Sequence, residues 1–367
     1  MFDITASVRL RPSPYYEATL AEGVTGFQPY NRMLLPTSFG DPEAEYWRLI
    51  KGVVQWDVGC ERQVQLTGPD AGRLAQILSP RDLTRCRAGQ GKYVPLCNHA
   101  GVLINDPVLL KLDEDRYWLS IADSDIWLWA QAIAAERRLD VEISEPDVSP
   151  LAVQGPRGED VVAAIFGDWV RELKYFWFRE TAIEGIPLVV ARSGWSKQGG
   201  FELYLMDGAR GTQLWNIVKE AGRRWDIGPG APNTCEWVES GLLSFGADTD
   251  DATNPYEVRL GKYVELQVPD EVIGIQALRR IHAAGPRRHQ LGLVLHGHEP
   301  IALRSSWHTI RKGNENVGSL TNCMWSYRLK RNIGYALISM ACNPGDAVEV
   351  IHEGRPLAGA LTGLPFL

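Results

Sequence analysis

Several absences narrow what this chain of 367 residues does. Positive charge is in short supply: 38 Lys and Arg face 45 Asp and Glu, for a formal net charge of −7. Neutralising phosphate takes a basic surface, so no nucleic-acid partner is expected. The short cluster Arg328, Lys330 and Arg331 reads as a solvated face. No apolar run approaches the ~20 residues of a membrane helix. The stretch Met1-Phe-Asp-Ile-Thr lacks the basic and apolar segments of a secretory leader, so no membrane partner is expected either. Cysteines at 60, 86, 97, 235, 323 and 342 include no Cys-x-x-Cys pair, which fits neither a zinc site nor a dense disulfide framework. Ordinary thiols in a reducing, cytoplasmic setting are the expectation.

Common catalytic signatures are missing as well. There is no Gly-x-x-x-x-Gly-Lys-Ser/Thr phosphate loop, no Gly-x-Gly-x-x-Gly turn and no Gly-x-Ser-x-Gly elbow. Gly228-Pro-Gly-Ala-Pro is too broken by Pro to wrap a pyrophosphate, and Gly194 to Gly200 opens a strand, without the helix N-terminus that binds phosphate. His296-Gly-His298 has no third ligand nearby, and no metal is expected.

What is present is an ordinary globular composition, 45% apolar and 23% charged, with an unusual 13 Trp. Most Trp belong in cores, but a Trp face also binds cations. Asp41-Pro-Glu-Ala-Glu reads as a capped helix start. Further helices are expected from Asp123 through Arg138, from Gly211 to near Gly222, and from Thr234 to Leu243. Strands are expected at Arg62–Leu66, Tyr117–Ile121, Leu188–Arg192 and Phe201–Leu205. Val64-Gln-Leu-Thr-Gly-Pro resembles Leu151-Ala-Val-Gln-Gly-Pro, each followed by an Ala/Leu/Ile-rich helix, which suggests two related α+β units. From about 284 the pattern changes to short strands broken by Gly and Pro turns, a separate small barrel or sandwich.

Polar and aromatic groups gather in two segments: Gly91-Lys-Tyr-Val-Pro leading to Asn98 through Asp106, and Arg192-Ser-Gly-Trp-Ser-Lys-Gln-Gly-Gly-Phe-Glu-Leu-Tyr204. In the second, Glu202 and Tyr204 share one face of a strand, opposite Phe201 and Leu203. A surface hairpin explains that alternation equally well, so periodicity alone leaves the site open.

These segments resemble the folate-binding aminomethyltransferase family, the family of the glycine-cleavage T-protein. Arg192 to Glu202 matches its R-[ST]-G-[YW]-[ST]-x-x-x-G-[FY]-E pattern; Gly101 to Asp106 matches its G-[IV]-[IL]-x-D turn with one extra residue. Glu239 to Gly261, Ile273 to Leu278 and Gly318 to Ala336 follow in the family's order. The resemblance implies an α+β, three-domain cloverleaf around a central folate pocket. Two intertwined, duplicated α+β domains would fill residues 1–283, approximately 1–55 with 145–260 and 56–144, followed by a β-barrel-like domain over 284–367. It implies tetrahydrofolate as methyl acceptor, with Glu202 accepting paired pterin N–H donors, Tyr204 beside it, and Asp106 near the reacting nitrogen. Trp237 departs from the Arg usual at its position.

Finer details resemble the branch that demethylates dimethylsulfoniopropionate: Gly91-Lys92-Tyr93, Asn105-Asp106-Pro107 and Gly194-Trp195-Ser-Lys-Gln-Gly-Gly. On that resemblance Asp106 and Tyr93 are the expected catalytic residues. Lys92 would hold the donor's carboxylate, Ser120 would also touch the donor, and Tyr93, Trp195, Trp169 and Trp177 would cage its sulfonium, at ~0.5–2 kcal/mol per aromatic face. The partners expected are a small sulfonium or other methylated substrate, tetrahydrofolate and a second copy in a homodimer. Another one-carbon transferase of the same fold, acting on an aminomethyl-lipoyl protein, a betaine or a methoxy-aromatic, is the alternative, and a noncatalytic folate binder is a second.

Overall fold

The computed structural model describes residues 9–301, 303 and 307–367. The Met1 to Thr5 stretch read above as lacking a leader lies outside them. The chain packs as two compact units that are discontinuous in sequence: the described residues of Met1–Ala75 with Leu83–Tyr93 and Pro107–Asn233, and Gln76–Asp82 with Val94–Asp106 and Thr234–Leu367. Packing groups residues 234–283 and two short upstream segments with the barrel.

The first unit holds two sheets. One has five strands in the order Glu142–Ser144, Gln63–Thr67, Arg116–Ser120, Val108–Lys111, Gln90–Tyr93; the other has six in the order Phe178–Ile183, Ile186–Ala191, Gly200–Leu205, Ser149–Gln154, Val54–Asp57, Gly228–Gly230. The suggested duplication is visible in this order. Strand Gln63–Thr67 is followed by helix Ala71–Leu78 and then by three strands of its sheet, the last one adjacent to it, with the separate hairpin Leu96–Cys97 and Leu103–Asn105 inserted after the first; Ser149–Gln154, helix Gly158–Phe166 and three strands repeat this without the hairpin. Each repeat then adds a helix, Ile126–Arg137 or Gly211–Gly222, and a closing short strand. The second has an insertion of its own, strand Val54–Asp57, between its Ser149–Gln154 and its closing strand. Even the turns match: Ala71 N donates to Gly68 O at 3.0 Å, and Gly158 N to Gly155 O at 2.8 Å. Pro69 and Pro156 thus preset a turn just ahead of the helix.

Alternation along the strands separates two cores. Phe201, Leu203 and Leu205 face helices Gly158–Phe166 and Gly211–Gly222, where Val161, Leu214, Trp215 and Val218 bury them. On the opposite face Tyr204, Val189 and Ala191 meet Leu110, Leu112 and Trp118 of the five-stranded sheet, so the two sheets pack face to face. Register makes Trp118 and Ser120 the first repeat's counterparts of Glu202 and Tyr204: Trp118 pairs with Gln65 and Glu202 with Ala152, and Gln65 and Ala152 each lie two residues before the end of their strand.

Helix starts were partly legible. Asp41 caps Pro42–Lys51, its Oδ1 accepting from Ala44 N at 2.9 Å. The expected helix at Asp123 begins only at Ile126. Asp123 is diverted, accepting from Asn31 N at 2.8 Å, and Asp125 pairs with Arg32. The helix expected to reach Leu243 ends at Ser240.

In the second unit, six strands close a barrel in the order Arg288–Leu295, Arg331–Ser339, Glu315–Ser326, His308–Lys312, Ala347–His352, Arg355–Thr362. Closure leaves no unpaired edge, and Leu293, Ile310, Leu320, Ile338, Val350 and Leu361 fill the interior. Helix Thr234–Ser240 docks on the barrel through Val238 and Trp237, which pack with Ile333 and Tyr335. Trp237, where the family has Arg, is a packing residue here.

Asp248 is fully buried beside the barrel, accepting from Ser244 N at 3.0 Å and Thr321 Oγ1 at 2.9 Å. Burial pushes its carboxyl up to about 7, partly offset by those donors. The folded state therefore keeps this proton over a range where the unfolded chain, ionising near ~3.9, has lost it. Asp248's contribution is full below that lower value and disappears as pH rises through about 7. Asp248→Asn should consequently gain on the wild type by on the order of 3 kcal/mol between pH 4 and pH 8. Urea melts of both proteins at the two pH values measure this; a constant difference between them would mean that Asp248 is ionised in the fold.

Candidate functional site

The Arg192–Tyr204 segment runs from a strand end through a glycine-punctuated turn into strand Gly200–Leu205, in the second repeat. Two glycines shape it. Gly194 (φ +149) and Gly200 (φ +136) adopt backbone conformations that L side chains rarely reach, and a Cβ on either would overlap Gln154 or its neighbour Val153. The space they leave is occupied by the Gln154 side chain. Its Nε2 donates to Ser193 O and Phe201 O, each at 3.2 Å, and its Oε1 accepts from Ser196 Oγ at 2.8 Å. One buried amide thus ties the start of the turn to the strand that carries Glu202.

Glu202 is 5% exposed. Its Oε2 accepts from Ser193 Oγ and, at 3.1 Å, from Tyr204 Oη. Both hydrogen bonds fall on one oxygen, so Oε1 takes neither. Burial raises the carboxyl's pKa, and the two hydroxyl donors oppose that rise. The Tyr204 hydroxyl is pushed well up by burial and then by the carboxylates of Glu202 and Glu61, so it stays a donor at neutral pH. Ser120 lies next in line: Gln63 Nε2 donates to its Oγ at 2.9 Å, and that Oγ faces Glu61 Oε2 at 3.4 Å. Trp118 closes the wall, its ring 6.2 Å from that of Tyr204 and its Nε1 donating to Gln65 Oε1 at 2.9 Å.

A second set of predicted residues meets through the backbone. Gly91 N donates to Phe176 O at 2.6 Å, Phe176 N to Arg192 O at 2.9 Å, and Arg192 N to Trp177 O at 2.9 Å. Strand Gln90–Tyr93, which carries Lys92 and Tyr93, Trp177 and the turn leading to Trp195 are therefore joined at one junction. Lys92, Tyr93, Trp177 and Trp195 are all half-buried.

Trp169 is not part of this set. It lies in the 3-10 turn Asp168–Glu172, packs against the core on the helix-covered face of the sheet, and carries the Arg179 guanidinium 4.9 Å from its ring. Glu202 and Tyr204 project from the other face, and the cation already over Trp169 belongs to the protein. Its expected cage role is corrected to packing.

Asp106 belongs to the second unit. A turn over Asn98–Gly101 leads to it: Gly101 N donates to Asn98 O at 2.9 Å, and Asn98 Oδ1 accepts from Ala100 and Val102. Asp106 follows strand Leu103–Asn105, half-buried, with its N–H donating to Asn105 Oδ1 at 2.9 Å. Leu103 N donates to Thr253 O at 2.8 Å, which connects this strand to a loop braced by Arg288, whose guanidinium holds Asp250 at 2.7 and 3.0 Å and Glu257 at 3.1 Å.

Sequence reasoning missed Glu61, Gln63, Gln154 and Ser193. Ser193 stood inside the motif and Gln154 beside the repeated Gly-Pro, but neither position signals a hydrogen bond to another strand.

Chain-wide similarity agrees with this architecture. Residues 15–268 match the GCVT N-terminal domain and residues 288–367 the glycine cleavage T-protein C-terminal barrel domain. The chain is 43% identical over 351 residues to the dimethylsulfoniopropionate demethylase of Ruegeria pomeroyi, covering 95% of each chain. It is 28% identical over 370 residues to the aminomethyltransferase of Symbiobacterium thermophilum, covering 97% of each. The crystal structure of the glycine cleavage system aminomethyltransferase T from Bartonella henselae superposes with a TM-score of 0.83 at 21% identity, covering 97% of this chain and 98% of that one, and so shares its fold. The chain belongs to the glycine cleavage T-protein family, the folate-dependent aminomethyltransferases and their methyltransferase relatives.

Proposed function

We propose that this enzyme transfers one methyl group from dimethylsulfoniopropionate to tetrahydrofolate, releasing 5-methyltetrahydrofolate and methylthiopropionate. The buried carboxylate of Glu202 carries the folate half of this reading, because its hydrogen bonds load Oε2 alone and the residue sits in a wall of Ser193, Tyr204 and Ser120. A carboxylate is the group that accepts the adjacent N–H and amino donors of a pterin ring in parallel. The donor half is supported by the 43% identity to a demethylase of this substrate.

Tetrahydrofolate, when bound, supplies the N5 nucleophile that accepts the methyl group. Glu202 orients the pterin, with Tyr204 and Ser193 holding the carboxylate in place. We assign Asp106 the proton-holding role at the reacting nitrogen, after the family's pattern. Tyr93, Trp177 and Trp195 supply aromatic faces for the sulfonium, Lys92 the cation for the donor's carboxylate, and Ser120 a hydroxyl beside Tyr204. The C–S bond electrons return to sulfur as a neutral thioether leaves, so alignment is the main demand on the protein. Six free thiols and the lack of any helix long and apolar enough to span a membrane among the described residues support a cytoplasmic setting. We also infer a homodimer, which light scattering measures.

Purified protein incubated with tetrahydrofolate and dimethylsulfoniopropionate should yield 5-methyltetrahydrofolate and methylthiopropionate in equal amounts. Replacing the sulfonium with its trimethylammonium analogue should abolish turnover, since an amine is a far poorer leaving group. Turnover of the ammonium compound or of an aminomethyl-lipoyl carrier, with none of the sulfonium, would assign the chain to another one-carbon reaction.

A further inference from the structure

Phe176 has φ +62, a left-handed conformation that costs a bulky aromatic residue energy and persists only when surrounding structure enforces it. The enforcing bonds are identifiable. The N–H of Phe176 reaches Arg192 O and its carbonyl receives Gly91 N–H, so the residue serves two different strands at once. The Arg192 side chain then fixes the preceding loop, donating from one terminal nitrogen to Leu173 O at 3.0 Å and Arg171 O at 3.3 Å. Its other terminal nitrogen donates to Glu159 Oε2 at 2.6 Å. Glu159 and Asp160 in turn hold the Arg171 guanidinium, at 2.9 and 3.0 Å. Arg192 thus grips the loop with both backbone and side chain.

We propose that Phe176 is a positioning residue whose left-handed backbone, clamped by Arg192 and Glu159, sets the relative placement of Tyr93, Trp177 and Trp195 and so determines affinity for the methyl donor. This rests on the reading that those three rings receive the donor. An ordinary right-handed or extended residue at 176 would turn one of the two backbone groups away from its strand, loosening the junction while leaving the Glu202 wall, held by Gln154 and Ser193, in place.

Conformation and ring are separable by substitution. Phe176→Gly adopts the left-handed region freely, whereas Phe176→Val, β-branched, resists it. With dimethylsulfoniopropionate and tetrahydrofolate as probes, Phe176→Val should raise donor KM by at least about 10-fold, and Phe176→Gly by no more than about 3-fold. Tetrahydrofolate affinity should stay within about 2-fold in both. Hydrogen exchange at the amides of positions 91 and 176 should speed up in Phe176→Val alone. Glu159→Gln, at a half-exposed helix position, weakens the same clamp without touching the junction and should raise donor KM by about 3-fold; it keeps the test decisive if Phe176→Val fails to fold. Equal donor KM in the Val and Gly variants, or a parallel loss of folate affinity, overturns the positioning role. A wild type inert toward the sulfonium overturns the proposed function itself, which the variants do not affect.

Discussion

Glu202→Gln should weaken tetrahydrofolate binding by about 100-fold, close to 2.7 kcal/mol. A charge-assisted hydrogen bond contributes ~1.5–3 kcal/mol, and a carboxamide opposite two pterin donors keeps at most one acceptor while aiming its own N–H groups at a donor. Water cannot rescue the mismatch, because Glu202 is only 5% exposed. Stability should change little, since Gln can still accept from Ser193 Oγ and Tyr204 Oη through its carbonyl. pH supplies a second signature. Burial raises the Glu202 pKa, so lowering the pH protonates the side chain sooner than an exposed carboxylate and removes an acceptor. Wild-type affinity should therefore rise with pH as Glu202 ionises, and the Gln variant should show no such rise. Tyr204→Phe deletes a donor that holds the carboxylate's pKa down, so it should move the wild-type rise to higher pH. Calorimetric titration across the pH range reads all three; a Gln variant that binds within about 3-fold of wild type, with the same pH profile, would remove Glu202 from the pterin site.

The parts of this site that could be read from sequence are those governed by local periodicity and motif order. Glu202 and Tyr204 share a face because strand side chains alternate, and the fold bears that out. The repeated strand–Gly-Pro–helix turns point to the duplication, and strand order displays it apart from one insertion in each repeat. What could not be read depends on register and on which sheet face lies outermost. Ser193, Gln154 and Glu61 meet their partners across strands, and a single residue's slip in pairing would separate them. Trp169 was misjudged because a Trp in a short 3-10 turn has no period to assign its face. The unit boundaries were hidden for another reason: short segments such as Val94–Asp106 pack with distant sequence, and composition carries no trace of that.

The largest stability effect should follow Gly200→Ala, a loss of about 3–5 kcal/mol. Gly200 pairs with Gln154 across two adjacent strands, and its φ of +136 brings the backbones close. An added Cβ would overlap the Val153 carbonyl and lie 2.8 Å from Gln154 Cα. Those are backbone atoms in a buried strand, so relief requires the pairing itself to open. Gly194→Ala meets the Gln154 side chain instead, which can move, but only by giving up bonds to Ser193, Phe201 and Ser196; about 2–3 kcal/mol is expected at ~1 kcal/mol each. Gly199→Ala is the control, since nothing lies within 4 Å of its Cβ and only its φ of +79 opposes the change, for about 1 kcal/mol. Urea denaturation of the ligand-free proteins should rank them 200, 194, 199, and a Gly200→Ala protein as stable as Gly199→Ala would refute the close approach. The functional consequence follows the same order. Glu202 lies two residues beyond Gly200 and Ser193 one before Gly194, so both severe variants displace the carboxylate or its donor. Whatever folded protein they retain should bind tetrahydrofolate more weakly, whereas Gly199→Ala, which disturbs neither, should bind it normally.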